Sequence, residues 1–545
     1  MIIYYAMTKF HLIFSITHKR ITYGDKDAVL FLYSGLQGLE EEYDKIVNAG
    51  FFKEVYIVPE IQLKRSWVPL NDKSPEKDIE KNVVNMVHDI EEWLPIKISR
   101  EDTIYLANDH WALGTYCIYK KIPYHYYEDG VGMLSKPEYS YELVRKMNVT
   151  HSIVAKYMGA FGLNENVVEK IADLENQTEG FKDEKAVHFS LKDQLKNLSK
   201  EDMGHLLNIF GAPELKGQED MTILLTEHFV NMKRLSIEGQ KELYALLVDF
   251  FCESQHLCIK PHPNDFQINY GQIFPEADMI SRFFPSELLP YCFNVKLKMA
   301  LAACSTSVFG LKDAADRILR FDIDIENHYN YLLRYYAAAI ILKQLKNFSI
   351  KTVNAYEDLL NGFLSADKNI SSGKEKNCVY IVDDKTEKGQ VLEDLNPQDV
   401  VVYINSSDYF YMFSERDFVV DEKNWCAVRI RKRLLPNTLM QNEDTEYVWI
   451  YSQDVKKLEQ IKTIKEEREL KHVGVFLDVD CITDNPELKI RILEGNLRAS
   501  LVRIEKYKSQ EKEYQETIRE LHKKLEDSDH EVISMLTKAL EERHK

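Results

Sequence analysis

Nowhere in this sequence do ~18 apolar residues follow one another, so no transmembrane helix is expected. The apolar start, Met1 to Ser15, lacks the basic opening and small-residue cleavage site of a secretory signal and carries Lys9 and His11. It reads as a first strand and turn. No CxxC pair is present. The eight cysteines (117, 252, 258, 292, 304, 378, 426 and 481) are scattered, several inside apolar runs, which fits reduced thiols and a cytoplasmic protein. No HExxH or other metal-binding histidine spacing occurs. Basic charge is also short: 70 Lys and Arg against 88 Asp and Glu leave a net charge of −18. That excludes a general nucleic-acid binder, although a local basic pocket is compatible with it.

Apolar material is plentiful. Hydrophobic residues make up 45% and aromatics 11% of the chain, which excludes a disordered protein. At ~100–200 residues per domain, 545 residues suggest about three domains. Continuous apolar runs such as Ala28 to Tyr33 (AVLFLY), Val55 to Val58, Thr103 to Ala107 and Ile122 to Tyr127 alternate with helix-like stretches, Leu36 to Asn48 and Asp78 to Leu94. That alternation predicts βαβ units and a parallel sheet. A second series opens at Met221 to Thr226 (MTILLT) and runs through Gly239 to Cys252 toward Ile318 to Ile325. Short strand runs return between Cys378 and Cys481, and from Leu497 onward the chain has neither Pro nor Gly. Leu497, Leu501, Ile504, Ile518, Leu521, Leu525 and Val532 follow a rough heptad there, so a coiled coil and a homo-oligomer are expected. The expected class is α/β, with two doubly wound Rossmann-like domains, a smaller C-terminal α/β region and a long C-terminal helix. The expected boundaries are 1–165, a helical linker 166–220, 221–330, a helical connector 331–375, an accessory α/β domain 376–490 and the tail 491–545.

Chemistry concentrates at the ends of expected strands, where parallel sheets bind ligands. His256 to Ile259 runs into Lys260-Pro261-His262-Pro263. Two prolines with fixed φ and no N–H make a stiff ledge that holds Lys260 and His262 at a strand's carboxyl edge. Ser305-Thr306-Ser307 follows the apolar run Val295 to Ala303, at an expected helix start. Lysine, histidine and hydroxyls together make a seat for a phosphodiester or pyrophosphate. Tyr124 to Tyr127 ends in Glu128-Asp129-Gly130, two crowded carboxylates of which one is suited to taking a proton from a hydroxyl. Phe476-Leu477-Asp478-Val479-Asp480 is a rival, an Asp-x-Asp of the kind that holds Mn²⁺ through a nucleotide diphosphate.

Taken in order, Glu128-Asp129-Gly130, His262-Pro263 and Ser305-Thr306 resemble the three motifs of the bacterial GT-B type sialyltransferases, including the polysialyltransferases and lipooligosaccharide sialyltransferases. Pro285-Ser286-Glu287-Leu288-Leu289 is similar to that family's Pro-x-Glu-x-Leu segment, and the resemblance covers roughly residues 1–330. It implies an inverting, metal-independent transfer of sialic acid from CMP-sialic acid to a glycan hydroxyl of capsule or lipooligosaccharide, with no cofactor besides the donor. Glu128 would be the general base, with Asp129 supporting it. His262 would bind and stabilise the departing CMP phosphate. Ser305, Thr306 and Ser307 would bond the same phosphate. Glu287 would accept from the ribose hydroxyls, and Lys260 and Pro263 would border the nucleotide. A cytoplasmic enzyme, peripheral on the inner membrane, fits that work. Other CMP- or CDP-activated donors (CMP-Kdo, CDP-glycerol) are the enzymatic alternative, and an oligomeric scaffold is the non-enzymatic one.

Overall fold

The computed structural model describes residues 1–127, 137–176, 183–213, 215, 220–252, 256–321, 330–345, 348–364, 377–383, 394–404, 424–434, 444–472, 475–482, 501, 504–505 and 507–522. The first sheet contains β1 (Ile2–Ala6), β2 (Ala28–Tyr33), β3 (Glu54–Val58), β4 (Thr103–Leu106), β5 (Tyr124–Tyr127), β6 (Val167–Ala172) and β7 (Ala186–His188). Its order is β3-β2-β1-β4-β5-β6-β7, and every pair is parallel. Central strands such as AVLFLY are apolar without alternation because helices cover both faces. The helix Glu76–Trp93 shows why that cover forms. Its buried residues Val83, Met86, Val87 and Ile90 recur every three or four positions, the spacing of one helical face.

Two readings of this region are corrected. The stretch after Ala6 is not a turn but a helix, Lys9–Tyr23, capped by Thr8, whose hydroxyl accepts from the His11 N–H at 3.2 Å. Every residue from His11 to Lys19 is buried, so no polar stripe gave the helical period away. The segment expected as linker also contributes β6 and β7, which pair in the first sheet.

His18 of that helix lies in an aromatic nest, stacked on Phe14 at 5.4 Å, with its Nδ1 2.7 Å from the Tyr4 hydroxyl. Burial pushes its pKa down to about 4, helped by the charge of His125. In the unfolded chain the ring would titrate near ~6.5. The unfolded state therefore binds the extra proton between these values, so stability falls as pH drops from about 6.5 to about 4. We expect His18→Phe to flatten that fall by about 2 kcal/mol, read from urea unfolding of both proteins at pH 7 and pH 4.5. An unchanged pH slope would refute this.

The second sheet repeats the winding with β8 (Met221–Leu225), β9 (His256–Lys260), β10 (Asp278–Met279), β11 (Met299–Ala302) and β12 (Ile318–Arg320), in the order β10-β9-β8-β11-β12 and all parallel. Both sheets thus reverse direction beside their first strand, the arrangement of a doubly wound fold. One buried apolar cluster runs from Tyr4 and Leu30 in the first domain to Ile223, Leu288 and Ala302 in the second, so the domains pack on each other.

The remaining strands are β13 (Ser349–Val353), β14 (Cys378–Val382), β15 (Val400–Tyr403), β16 (Trp425–Leu434), β17 (Asp444–Ser452), β18 (Lys465–Leu470) and β19 (Val475–Ile482). They form a mixed sheet in the order β13-β14-β15-β17-β16-β19-β18. It begins with β13, inside the segment expected as a helical connector. Its core is continuous with that of the second domain: Leu246, Phe251, Tyr335, Val402, Val428 and Ile450 share one cluster. Polar ties add to this. His472 and Arg468 both bond Asp249, the latter donating to the Asp249 carbonyl at 2.7 Å. In the tail, residues 507–522 are helical and exposed, Ile518 and Leu521 included. Leu497, Leu525 and Val532 of the expected heptad lie outside the described residues.

Candidate functional site

The carboxyl edges of the two parallel sheets face each other across a cavity of about 530 Å³. Thr8, Lys9 and Phe10 follow β1, and Gly35 to Gln37 follow β2. Thr226 follows β8, His262 to Asn264 follow β9, and Ser305 and Ser307 follow β11. The cavity therefore lies over the point in the second sheet where β8 and β11 diverge.

Lys260 ends β9 with its side chain buried, and its ammonium donates to the carbonyls of Pro261 at 2.9 Å and Arg282 at 3.1 Å. It ties the Pro-His-Pro ledge to the loop that precedes Ser286. Burial lowers its pKa to about 8, against the pull of the Glu287 carboxylate. The His262 N–H donates to Thr226 Oγ1 at 3.2 Å, and its Nδ1 accepts from the Asn264 N–H at 3.1 Å. A neutral ring whose Nδ1 accepts carries its proton on Nε2. Burial, then His228 and Lys260, push the ring's pKa down to about 4, so it is neutral at pH 7 and presents an Nε2–H donor.

A buried polar frame fixes this arrangement from below. The Asp265 carboxylate accepts from Thr226 Oγ1 at 2.7 Å, from the Tyr270 hydroxyl at 2.6 Å and from Gln240 Nε2 at 3.2 Å. The Asp265 N–H donates to the His262 carbonyl at 2.9 Å. Thr226 and Asp265, which both bond His262, are thus themselves held. The sequence reading did not single out Gln240, Asp265 or Tyr270, although an aspartate two residues after His-Pro was a local sign.

Of the residues expected in the site, Lys260, His262, Pro263, Glu287, Ser305 and Ser307 line this one cavity. Glu287 also lines an adjoining cavity of about 590 Å³, shared through Phe10. Burial raises the Glu287 carboxyl pKa, opposed by the Lys260 charge. Ser286 Oγ stands 3.5 Å from Ser307 Oγ, which brings the Pro-Ser-Glu and Ser-Thr-Ser segments side by side. Ser305 precedes a six-residue 3-10 helix, Thr306–Leu311, and makes no side-chain capping bond to it; the helix expected here is this short 3-10 one. Thr306, between Ser305 and Ser307, is exposed, as Ser307 is. Glu128 and Asp129 lie outside the described residues.

Two metal readings can be tested on geometry. Glu227, His228 and His262 each bring a ligand atom within 4.8 Å of the others. The two imidazoles stack at 4.1 Å with an interplanar angle of 22°, and His262 Nδ1 already accepts from the Asn264 N–H, so an ion there would have to displace that bond or use Nε2. Asp478 of the Asp-x-Asp is paired with Arg431 and Arg433 in the third sheet. Its carboxylate neutralises those guanidinium groups, which corrects the nucleotide-metal alternative.

Residues 62–319 match the family model described as glycosyltransferase family 52. No curated protein matches the chain. Among solved structures, an alpha/beta-galactoside alpha-2,3-sialyltransferase from Photobacterium phosphoreum is similar at 12% identity, with 60% of this chain and 92% of that one covered and a TM-score of 0.35. The UDP-GlcNAc 2-epimerase of Methanocaldococcus jannaschii is similar at 10% identity, covering 74% and 89%, with a TM-score of 0.31.

Proposed function

On the family 52 match over residues 62–319, we propose that this chain is a sialyltransferase-like glycosyltransferase that transfers sialic acid from CMP-sialic acid to a glycan hydroxyl, inverting the anomeric carbon. The observation that carries the reading is the single cavity between two carboxyl edges, in which His262, Ser305, Ser307 and Glu287 meet. The CMP phosphate sits against His262 Nε2–H and the Ser305 and Ser307 hydroxyls, and the ribose hydroxyls reach Glu287. As the bond to the anomeric carbon breaks, negative charge gathers on that phosphate. Donors already fixed around it stabilise the transition state more than the ground state, because they need no reorganisation. The Asp265 frame supplies that fixity beneath the ledge.

Glu128, directly after β5 (Tyr124–Tyr127), is the base that takes the acceptor proton, with Asp129 beside it. One base and one displacement suffice, with no covalent intermediate and no metal. Such a transfer serves synthesis of a capsule or lipooligosaccharide glycan. The test is to incubate the enzyme with CMP-sialic acid and a galactose-terminated glycan and determine the product's anomeric configuration by NMR. Inversion supports the reading. A retained configuration, or transfer only from a UDP- or GDP-sugar, would overturn it.

A further inference from the structure

The cavity's first-domain wall carries a charge that the roles above do not use. Lys9 opens the helix after β1 and is the only basic residue the first domain contributes among the described lining residues. It faces the side that holds Lys260, His262 and Ser305. Its ammonium is ion-paired with Glu42 and stands 5.4 Å from the Phe210 ring centre and 5.9 Å from that of Phe283. An ammonium braced by one carboxylate and two ring faces is held in place with little rotamer freedom left to lose on binding.

Lys260 cannot serve the same purpose, since two of its three N–H donors go to the carbonyls of Pro261 and Arg282. Two ammonium groups nevertheless converge on one cavity, and Lys9's charge reaches Lys260 strongly enough to help lower its pKa, after burial as the main cause. Glu287 is the one carboxylate among the described lining residues. Opposed cations in one cleft suit a ligand with two anionic groups.

Resting on the donor reading above, we propose that Lys9 recognises the carboxylate of the donor's acidic sugar, across the cleft from the phosphate seat. A sugar acid with its carboxylate on the anomeric carbon has that group next to the phosphate ester. With the phosphate against His262 and Ser305, the sugar points toward the first-domain wall of Thr8 to Phe10. A charge-assisted bond from Lys9 selects such a donor over a neutral sugar on the same nucleotide. Lys9 is a specificity residue, and it makes no contribution to nucleotide binding itself.

The test titrates wild type and Lys9→Met by calorimetry with CMP and with an inert 3-fluoro analogue of CMP-sialic acid. The analogue's affinity should fall about 10-fold in Lys9→Met while that of CMP stays within a factor of about two. Lys9→Arg should recover most of the lost affinity. Because Lys9→Met leaves the buried Glu42 without its counter-ion, the double variant Lys9→Met, Glu42→Gln is measured as well and should show the same split. Equal weakening of both ligands, or no change in either, overturns the role of Lys9 while leaving the donor reading intact. Failure of wild type to bind CMP or the analogue overturns both.

Discussion

Glu128→Ala abolishes transfer, lowering kcat/KM by about 10³-fold or more, while CMP affinity stays within a factor of about two. The asymmetry follows from where the two functions reside. The proposed phosphate seat lies in loops after β8, β9 and β11 of the second domain, whereas Glu128, the proposed base, follows β5 of the first in sequence. Removing a base raises the barrier for deprotonating the acceptor and leaves the nucleotide's partners untouched. His262→Ala is the contrasting variant, since it removes the Nε2–H donor and should weaken CMP binding and transfer together by ~30-fold. Steady-state kinetics beside CMP titration separates the two. Most of the activity surviving in Glu128→Ala would show that another group is the base.

Asp265→Ala has the second largest effect, a loss of about 3 kcal/mol or more of stability together with the CMP site. Its carboxylate takes hydrogen bonds from Thr226, Gln240 and Tyr270, all buried. Alanine strands several buried donors at once, and each unpaired polar group costs roughly 1–3 kcal/mol. The loss is less than a simple sum because Gln240 also donates to the Glu227 carbonyl and can keep that bond. Thr226 would no longer be oriented to accept from the His262 N–H, so the ledge loosens with the core. Urea unfolding of the purified variant reads the stability change, and a loss below about 1 kcal/mol would contradict the proposed frame.

What could be read ahead of the structure follows the range of the interactions concerned. The Pro-His-Pro ledge was legible because proline acts through its own φ and missing N–H, whatever lies around it. Parallel winding was legible in runs such as AVLFLY, since burial on both faces removes alternation. The helix Lys9–Tyr23 was not, because burial all round removes the polar stripe that marks a helix. β18, KEEREL, was missed for the opposite reason: it ends its sheet's strand order and carries charges that an edge tolerates. The Asp265 frame joins residues up to 39 positions apart, so only the folded chain brings them together. Lys9 had the same standing, a visible residue in a loop-like segment whose partner, Glu42, arrives from another helix.

The central claim is that the second domain's edge is a seat for a cytidine monophosphate donor. A thermal-shift panel tests it most directly, with CMP, CDP, UDP and GDP each added with and without Mn²⁺. A ligand bound only by the folded state stabilises it by ~2.7 kcal/mol at a hundred times its Kd. The account predicts that CMP raises the melting temperature, that Mn²⁺ leaves that shift unchanged, and that UDP and GDP produce none. A Mn²⁺-dependent shift with UDP or GDP, and none with CMP, would contradict it.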